Sequence, residues 1–213
     1  MKQFDGFIFD IDGTLVSTNN LIFSSFNHVA KKYLNKLLSD EEIISLFGPT
    51  EDEILKDWMK ENYHAARKDY FDFYSGNHEA MADLYPGIKE ILTSLKNSGK
   101  YLSIYTGKGR QSSEITLKKT NVFDLFDMIV TGDDISGRKP SAEGIDIFVE
   151  KYKLDRSKIL MVGDSPVDIK AAKNAGVKCA SVVWDSYAKD EVEKSNYDYI
   201  FYSVNEFSKF IAR

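Results

Sequence analysis

The residues of this sequence best suited to chemistry are Asp10 and Asp12, which follow directly on the apolar run Phe7-Ile8-Phe9 and precede Gly13-Thr14-Leu15. A short, continuously apolar run of this kind reads as a strand buried on both faces of a parallel sheet. Residues i and i+2 of an extended chain point to the same side, so the two carboxylates would project together from the strand's end. Gly13 would let the backbone turn sharply, close to whatever the acids hold. Carboxylates so placed repel each other, and burial makes their ionised forms costlier, so the pair needs a cation or a shared proton. A divalent metal would meet the first need, and a general acid would use the second. A solvated turn is the alternative, since Asp and Gly are ordinary turn residues, but the apolar run ahead of the acids argues for a sheet end.

Other polar clusters stand where further strands are expected to stop. Residues 101–105 read as a strand running into Thr106-Gly107-Lys108-Gly109-Arg110, and residues 159–162 as one ending in Gly163-Asp164, with Asp168 four positions on. Ser165-Pro166 matches a helix N-cap followed by Pro at the first helical position. Lys139 closes the loop beyond a short strand at residues 128–131. Ligands of open parallel sheets bind beyond the carboxyl ends of the strands, and all of these groups lie there.

The elements that must position them divide the chain in two. From Tyr85 onward strands alternate with helices, which means a parallel sheet with helices on both faces. Further strands are expected at residues 179–184 and 199–201, and a closing helix at 204–211. Residues 16–83 show only helical spacing: Ile22, Phe26, Val29 and Tyr33, then Ile54, Leu55, Trp58 and Met59, with Asn19 or Asn20 as a cap for the first helix. Ser39 with Glu42 and Thr50 with Glu53 fit the capping box. We therefore expect a doubly wound α/β core of residues 1–15 and 84–213, interrupted by an all-helical cap of residues 16–83 that contains no strand. Hinges are expected at residues 16–18 and 84–87. The loop Phe47-Gly48-Pro49-Thr50 is the candidate substrate-facing loop, with Gly48 contributing to binding. Tyr63, Tyr70, Phe71, Phe73 and Tyr74 are read as cap core, and His28, His64 and His78 show no metal-ligand spacing.

Composition sets limits on function. The 213 residues are 43% hydrophobic, enough for one core domain carrying an insertion. A net charge of −5 leaves no basic footprint, so nucleic acid is not an expected partner. No stretch is long and apolar enough for a membrane span or a secretory h-region, so a cytoplasmic protein is expected. Cys179 is the sole cysteine. It lies in an apolar strand, where a thiol is a small hydrophobe. Nothing in the sequence separates a monomer from a homodimer.

Asp10-Ile11-Asp12-Gly13-Thr14-Leu15, Ser103-Ile104-Tyr105-Thr106, Lys139-Pro140 and Gly163-Asp164-Ser165-Pro166-Val167-Asp168 resemble, in order, the four motifs of the haloacid dehalogenase-like hydrolase superfamily. The resemblance spans residues 7–176, and the helical insertion resembles that superfamily's helical cap of the first type. It implies that Asp10 is a nucleophile that becomes an aspartyl-phosphate. Asp12 would be the general acid and then the base, its backbone carbonyl facing a metal. Mg²⁺ is the implied cofactor, held by Asp10, Asp12, Asp164 and Asp168, the last either as a ligand or orienting one. Thr106 and Gly107 would bind phosphoryl oxygens, and Lys139 would stabilise charge on phosphate and Asp10. Lys108 is a candidate for substrate binding or for a solvated face. Ser17 departs from the acidic residue that members with this cap type often carry there.

The implied activity is a Mg²⁺-dependent phosphatase acting on a small phosphorylated metabolite, of phosphoglycolate or sugar phosphate type. A phosphosugar mutase shares the four motifs. Outside enzymes, a phospho-acceptor or binding protein of the same fold is the alternative, although a receiver-type module needs no cap and places its acceptor Asp on a later strand. Gly107-Lys108-Gly109 lacks the P-loop spacing.

Overall fold

The computed structural model describes residues 3–212. Strand β1 (Gly6–Phe9) is followed by the short β2 (Val16–Ser17), then by helices α1 (Asn19–Leu34), α2 (Asp40–Ile44), α3 (Glu51–Met59) and α4 (Tyr63–Met81), and by β3 (Asp83–Leu84). Next come α5 (Ile88–Asn97), β4 (Tyr101–Tyr105), α6 (Arg110–Lys119), β5 (Met128–Val130), α7 (Glu143–Tyr152), β6 (Ile159–Gly163) and α8 (Pro166–Ala175). β7 (Lys178–Val182), α9 (Lys189–Glu193), β8 (Tyr199–Phe201) and α10 (Val204–Ile211) follow.

Six of the strands form one sheet in the order β5-β4-β1-β6-β7-β8, every pair parallel. β1 therefore lies between β4 and β6, where the direction of winding reverses and where ligands of such sheets bind. Its sequence explains this central place. Phe7 and Phe9 enter one layer with Leu102, Ile104, Leu160 and Val162, while Ile8 enters the other with Tyr105 and Met161. Phe7, Ile8 and Phe9 are 2%, 0% and 0% exposed, and burying each such side chain contributes about 1.5–3 kcal/mol. The next residue is thus mounted on a strand buried on both faces.

In the chain the four helices α1–α4 fall between β1 and the sheet's remaining strands, and they pack on one another, Phe26 of α1 lying on Tyr70 of α4 at a ring separation of 5.0 Å. Tyr70, Phe71 and Tyr74 are buried, whereas Tyr63 and Phe73 are half-buried. Both capping boxes form: Glu42 Oε2 accepts from Ser39 N at 2.8 Å, and Glu53 Oε2 from Thr50 N at 2.8 Å.

Three expectations are corrected. The insertion is not free of strand: β2 and β3 pair antiparallel, Val16 with Leu84 and Ser17 with Asp83. A ladder of two residues is too short to show a period, and it forms because the two chain crossings run side by side. Ser17 Oγ donates to Asp185 Oδ2 at 3.2 Å, and the Tyr85 hydroxyl donates to the same oxygen, so a core carboxylate holds both crossings. The residue before α1 is Thr18 rather than an Asn, and its hydroxyl is engaged elsewhere than in capping. The strand expected at 179–184 ends at Val182, beyond which Val183 N donates to Phe201 O and the chain turns away.

Candidate active site

Asp10 stands immediately beyond β1, its N–H donating to Val162 O of β6 at 2.9 Å and its Oδ1 accepting from Ile11 N at 2.8 Å. Ile11 O then accepts from Leu15 N at 2.9 Å and Val16 N at 3.1 Å, which folds residues 11–16 into a tight turn. Gly13 makes that turn with φ +73°, and a Cβ there would lie 2.5 Å from Asp164 Oδ2. Both the left-handed backbone and the close approach require glycine. Gly13→Ala is expected to cost about 1–3 kcal/mol of stability and to weaken any metal binding through Asp164, which a urea titration with and without Mg²⁺ would read.

Asp164 and Asp168 are placed by the end of β6 and the start of α8. Ser165 precedes α8, Pro166 is its first residue, and Asp168 Oδ2 accepts from Ser165 N at 3.1 Å and Ser165 Oγ at 2.6 Å. Asp168 is 0% exposed and packs on Gly163, where a Cβ would lie 2.3 Å from Asp168 Cγ. Thr14 Oγ1 donates to Asp164 Oδ1 at 3.3 Å, tying the turn after β1 to the loop after β6.

Asp10, Asp164 and Asp168 each offer a carboxylate oxygen within 4.8 Å of the others. Lys139 reaches them from the loop after β5, its Nζ 2.8 Å from Asp10 Oδ2 and 2.6 Å from Asp168 Oδ1, with the side chain 5% exposed. Burial alone would lower the lysine's pKa, but Asp10 and Asp168 outweigh it and hold the ammonium above its ordinary value. Burial, joined by repulsion from Asp168 and Asp10, pushes the Asp164 carboxyl well above the usual range. Asp168 is raised as well, by burial, against the pull of Lys139. Three carboxylates against one ammonium leave negative charge without a partner. Hard oxygen donors with that excess charge fit a divalent cation, which would be held by Asp10 and Asp164 with Asp168 beside them.

Asp12 is directed elsewhere. Its Oδ1 accepts from Thr18 Oγ1 at 2.5 Å, and its Oδ2 lies 3.2 Å from Lys108 Nζ. Burial raises its pKa, with Lys108 and Thr18 opposing. Asp12 is not in the carboxylate group above; its carboxylate sits between Lys108 and Thr18, the residue before α1. Thr106, 2% exposed, directly follows β4, its N–H donating to Val130 O and its hydroxyl accepting from Lys108 N at 3.3 Å. Gly107 is half-buried beside it.

The solvated reading of Lys108 fails, because its side chain is 2% exposed and pairs with Asp12 and, at 3.5 Å, with Glu51 of α3. One placement differs from what the sequence suggests. Gly48 is exposed, with open space about its Cα; the contact from this loop to the core is made by Thr50 and Glu51. Glu51 Oε2 accepts from Gly109 N at 2.8 Å and Oε1 from Ser112 Oγ at 2.6 Å. Neither Glu51 nor Thr18 stands out in the sequence. An acid in the first turn of a helix is generic, and its partners are 58 and 61 positions away.

The chain matches the haloacid dehalogenase-like hydrolase family over residues 7–182. It is 31% identical over 205 residues to pyrophosphatase PpaX of Bacillus velezensis, covering 96% of this chain and 95% of the relative. It is 30% identical over 206 residues to pyrophosphatase PpaX of Bacillus mycoides, covering 97% and 96%. A predicted phosphoglycolate phosphatase from Haemophilus somnus superposes with a TM-score of 0.85 at 25% identity, covering 99% of both chains. A match running from the first strand to the seventh, with relatives this similar across nearly their whole length, shows that the chain belongs to the haloacid dehalogenase-like hydrolases and is an enzyme of that family.

Proposed function

We propose that this hydrolase is a Mg²⁺-dependent phosphatase that passes the phosphoryl group of a small substrate to Asp10 and then to water. The observation that carries the reading is the meeting of Asp10, Asp164 and Asp168 beyond the ends of β1 and β6, with Lys139 of the loop after β5 on Asp10 and Asp168. Asp10 is the nucleophile: its carboxylate oxygen attacks phosphorus, the bond to the leaving oxygen breaks, and an aspartyl-phosphate forms. Asp12 gives its proton to the leaving oxygen and, once ionised, takes one from the water that attacks the same phosphorus. Thr106 and the Gly107 N–H bind phosphoryl oxygens, and Lys139 remains beside Asp10 to offset the charge that develops in transfer. A bound Mg²⁺ would supply further neutralisation of the phosphoryl and Asp10 oxygens.

The helical segment of residues 16–83 acts as a cap that excludes water while Asp10 is phosphorylated and opens to release product. Pyrophosphate is the first substrate to test, because relatives about 30% identical over nearly their full length carry that activity in their names. Phosphoglycolate-type esters and sugar phosphates follow. A phosphosugar mutase would instead isomerise its sugar and release little inorganic phosphate. No helix of the described residues is long and apolar enough to cross a membrane.

Phosphate release from such a panel in Mg²⁺ tests the proposal, and release that is the same with and without EDTA would exclude metal dependence. Mg²⁺ is also expected to raise the melting temperature, more so at higher pH. The raised carboxyl of Asp164 means that the metal-free fold is favoured while this group is protonated and loses that stability as pH climbs through its folded pKa. The same ionisation favours the cation. A Mg²⁺-induced shift that does not grow as pH rises would contradict this, and calorimetric scans would show it.

A further inference from the structure

The alcohol part of a phosphomonoester has to lie beside Asp12, because Asp12 gives its proton to the leaving oxygen. The groups around Asp12 are therefore the ones that read the leaving group. Lys108 Nζ lies 3.2 Å from Asp12 Oδ2 and 3.5 Å from Glu51 Oε1. Glu51 opens α3, and the residue before it rests on the loop after β4: a Cβ on Gly132 would lie 2.6 Å from both Thr50 Cγ2 and Gly107 O. The Glu51 carboxylate is fixed in place, accepting from Gly109 N at 2.8 Å and from Ser112 Oγ at 2.6 Å. One lysine away from the acid that meets the leaving oxygen, then, stands a second acid that cannot turn aside.

The charges in this space are already matched. Asp12 and Glu51 set two carboxylates against the single ammonium of Lys108, and with a proton on Asp12 the remaining pair still cancels. Lys139 is held by Asp10 and Asp168. Arg110 and Arg138, the cations nearest in sequence to these two lysines, are held by Asp134 and Glu53. A second anionic group on the substrate would enter beside Glu51 with none of these cations left over to meet it. Like charges brought together where water is excluded are costly, and such a mismatch selects among ligands as effectively as a favourable contact does.

We propose, resting on the phosphatase reading above, that the substrate is a phosphomonoester of an uncharged alcohol, and that Glu51 is the specificity-determining residue that turns away compounds with a second anionic group. Sugar monophosphates fit this space; phosphoglycolate and pyrophosphate do not.

The test uses a matched pair in Mg²⁺, hydroxyethyl phosphate and phosphoglycolate, which are close in size and differ in the carboxylate, with pyrophosphate alongside. The kcat/KM of the neutral ester is expected to exceed that of phosphoglycolate by about tenfold or more. Glu51→Gln keeps an oxygen for Gly109 N and frees Lys108 to meet an anion, so it should shrink this ratio by about tenfold. Lys108→Met leaves the two acids without their cation and should enlarge it. A merely structural role would lower both esters alike and leave the ratio where it was. Phosphoglycolate or pyrophosphate turned over with a higher kcat/KM than the neutral ester, or a ratio that Glu51→Gln leaves unchanged, overturns the proposal. If Glu51→Gln does not fold, the ratio in the unaltered protein and its response to Lys108→Met decide. If neither ester is cleaved, their order as inhibitors of p-nitrophenyl phosphate hydrolysis decides by the same rule. Absence of Asp10-dependent phosphate release from every compound, p-nitrophenyl phosphate included, is a different failure, which removes the phosphatase reading and this proposal with it.

Discussion

Asp10→Asn is expected to lower turnover by about four to six orders of magnitude while leaving the fold intact. Asparagine keeps an oxygen to accept from Ile11 N, which Asp10 Oδ1 does at 2.8 Å, but an amide is no nucleophile toward phosphorus. Stability points the opposite way from activity. Removing one charge from a group of carboxylates within 4.8 Å of one another relieves repulsion, so without Mg²⁺ the variant should melt no lower than the unaltered protein. Activity assays paired with thermal scans in EDTA check both halves. A variant that retains turnover would rule out the covalent route, and one that melts far lower would show that Asp10 holds the fold rather than the chemistry.

Lys139→Met carries the second large effect. The ammonium lies 2.8 Å from Asp10 and 2.6 Å from Asp168 with its side chain 5% exposed. Deleting it leaves buried carboxylates without their cation, a loss of about 3–5 kcal/mol in metal-free protein. Part of that loss should return on adding Mg²⁺, which supplies positive charge to the same oxygens. Turnover should stay low by about 10²–10³-fold even when the metal is saturating, because charge beside Asp10 is still missing. Lys139→Arg should not restore it, since a planar guanidinium cannot replace a compact charge between two carboxylates in so closed a space. Urea unfolding with EDTA or Mg²⁺, alongside kcat at saturating metal, separates the two effects.

The parts of this molecule that the sequence reveals are those governed by local pattern. Phe7, Ile8 and Phe9 announce a doubly buried strand because both faces of β1 are covered. Ser165-Pro166 announces the start of α8, and the Thr50 and Glu53 pair announces α3, because capping chemistry is local. The convergence of strand ends follows from parallel topology, so Asp10, Asp164, Asp168 and Lys139 could be placed together in advance. What stayed hidden depends on pairs far apart in the chain. The two-residue ladder of β2 and β3 has no period to detect. Lys108 reads in the sequence equally as a substrate ligand or a solvated loop lysine, and the Glu51 and Tyr74 that close over it come from a separate run of helices. Thr18 passes unnoticed beside the cap candidates Asn19 and Asn20, yet its hydroxyl serves Asp12. Gly48 marks a bend in the loop, while the residues that touch the core are its neighbours Thr50 and Glu51.

The most direct measurement is a rapid acid quench during turnover in Mg²⁺, followed by peptide mapping for a phosphoryl group. The account predicts one phosphoryl group on the peptide that holds Asp10. Asp12→Ala should accumulate more of it when p-nitrophenyl phosphate is the donor, since the proton-taking step that releases phosphate is slowed. Phosphate released with no labelled peptide at any time, or a label on a residue other than Asp10, would contradict the central claim.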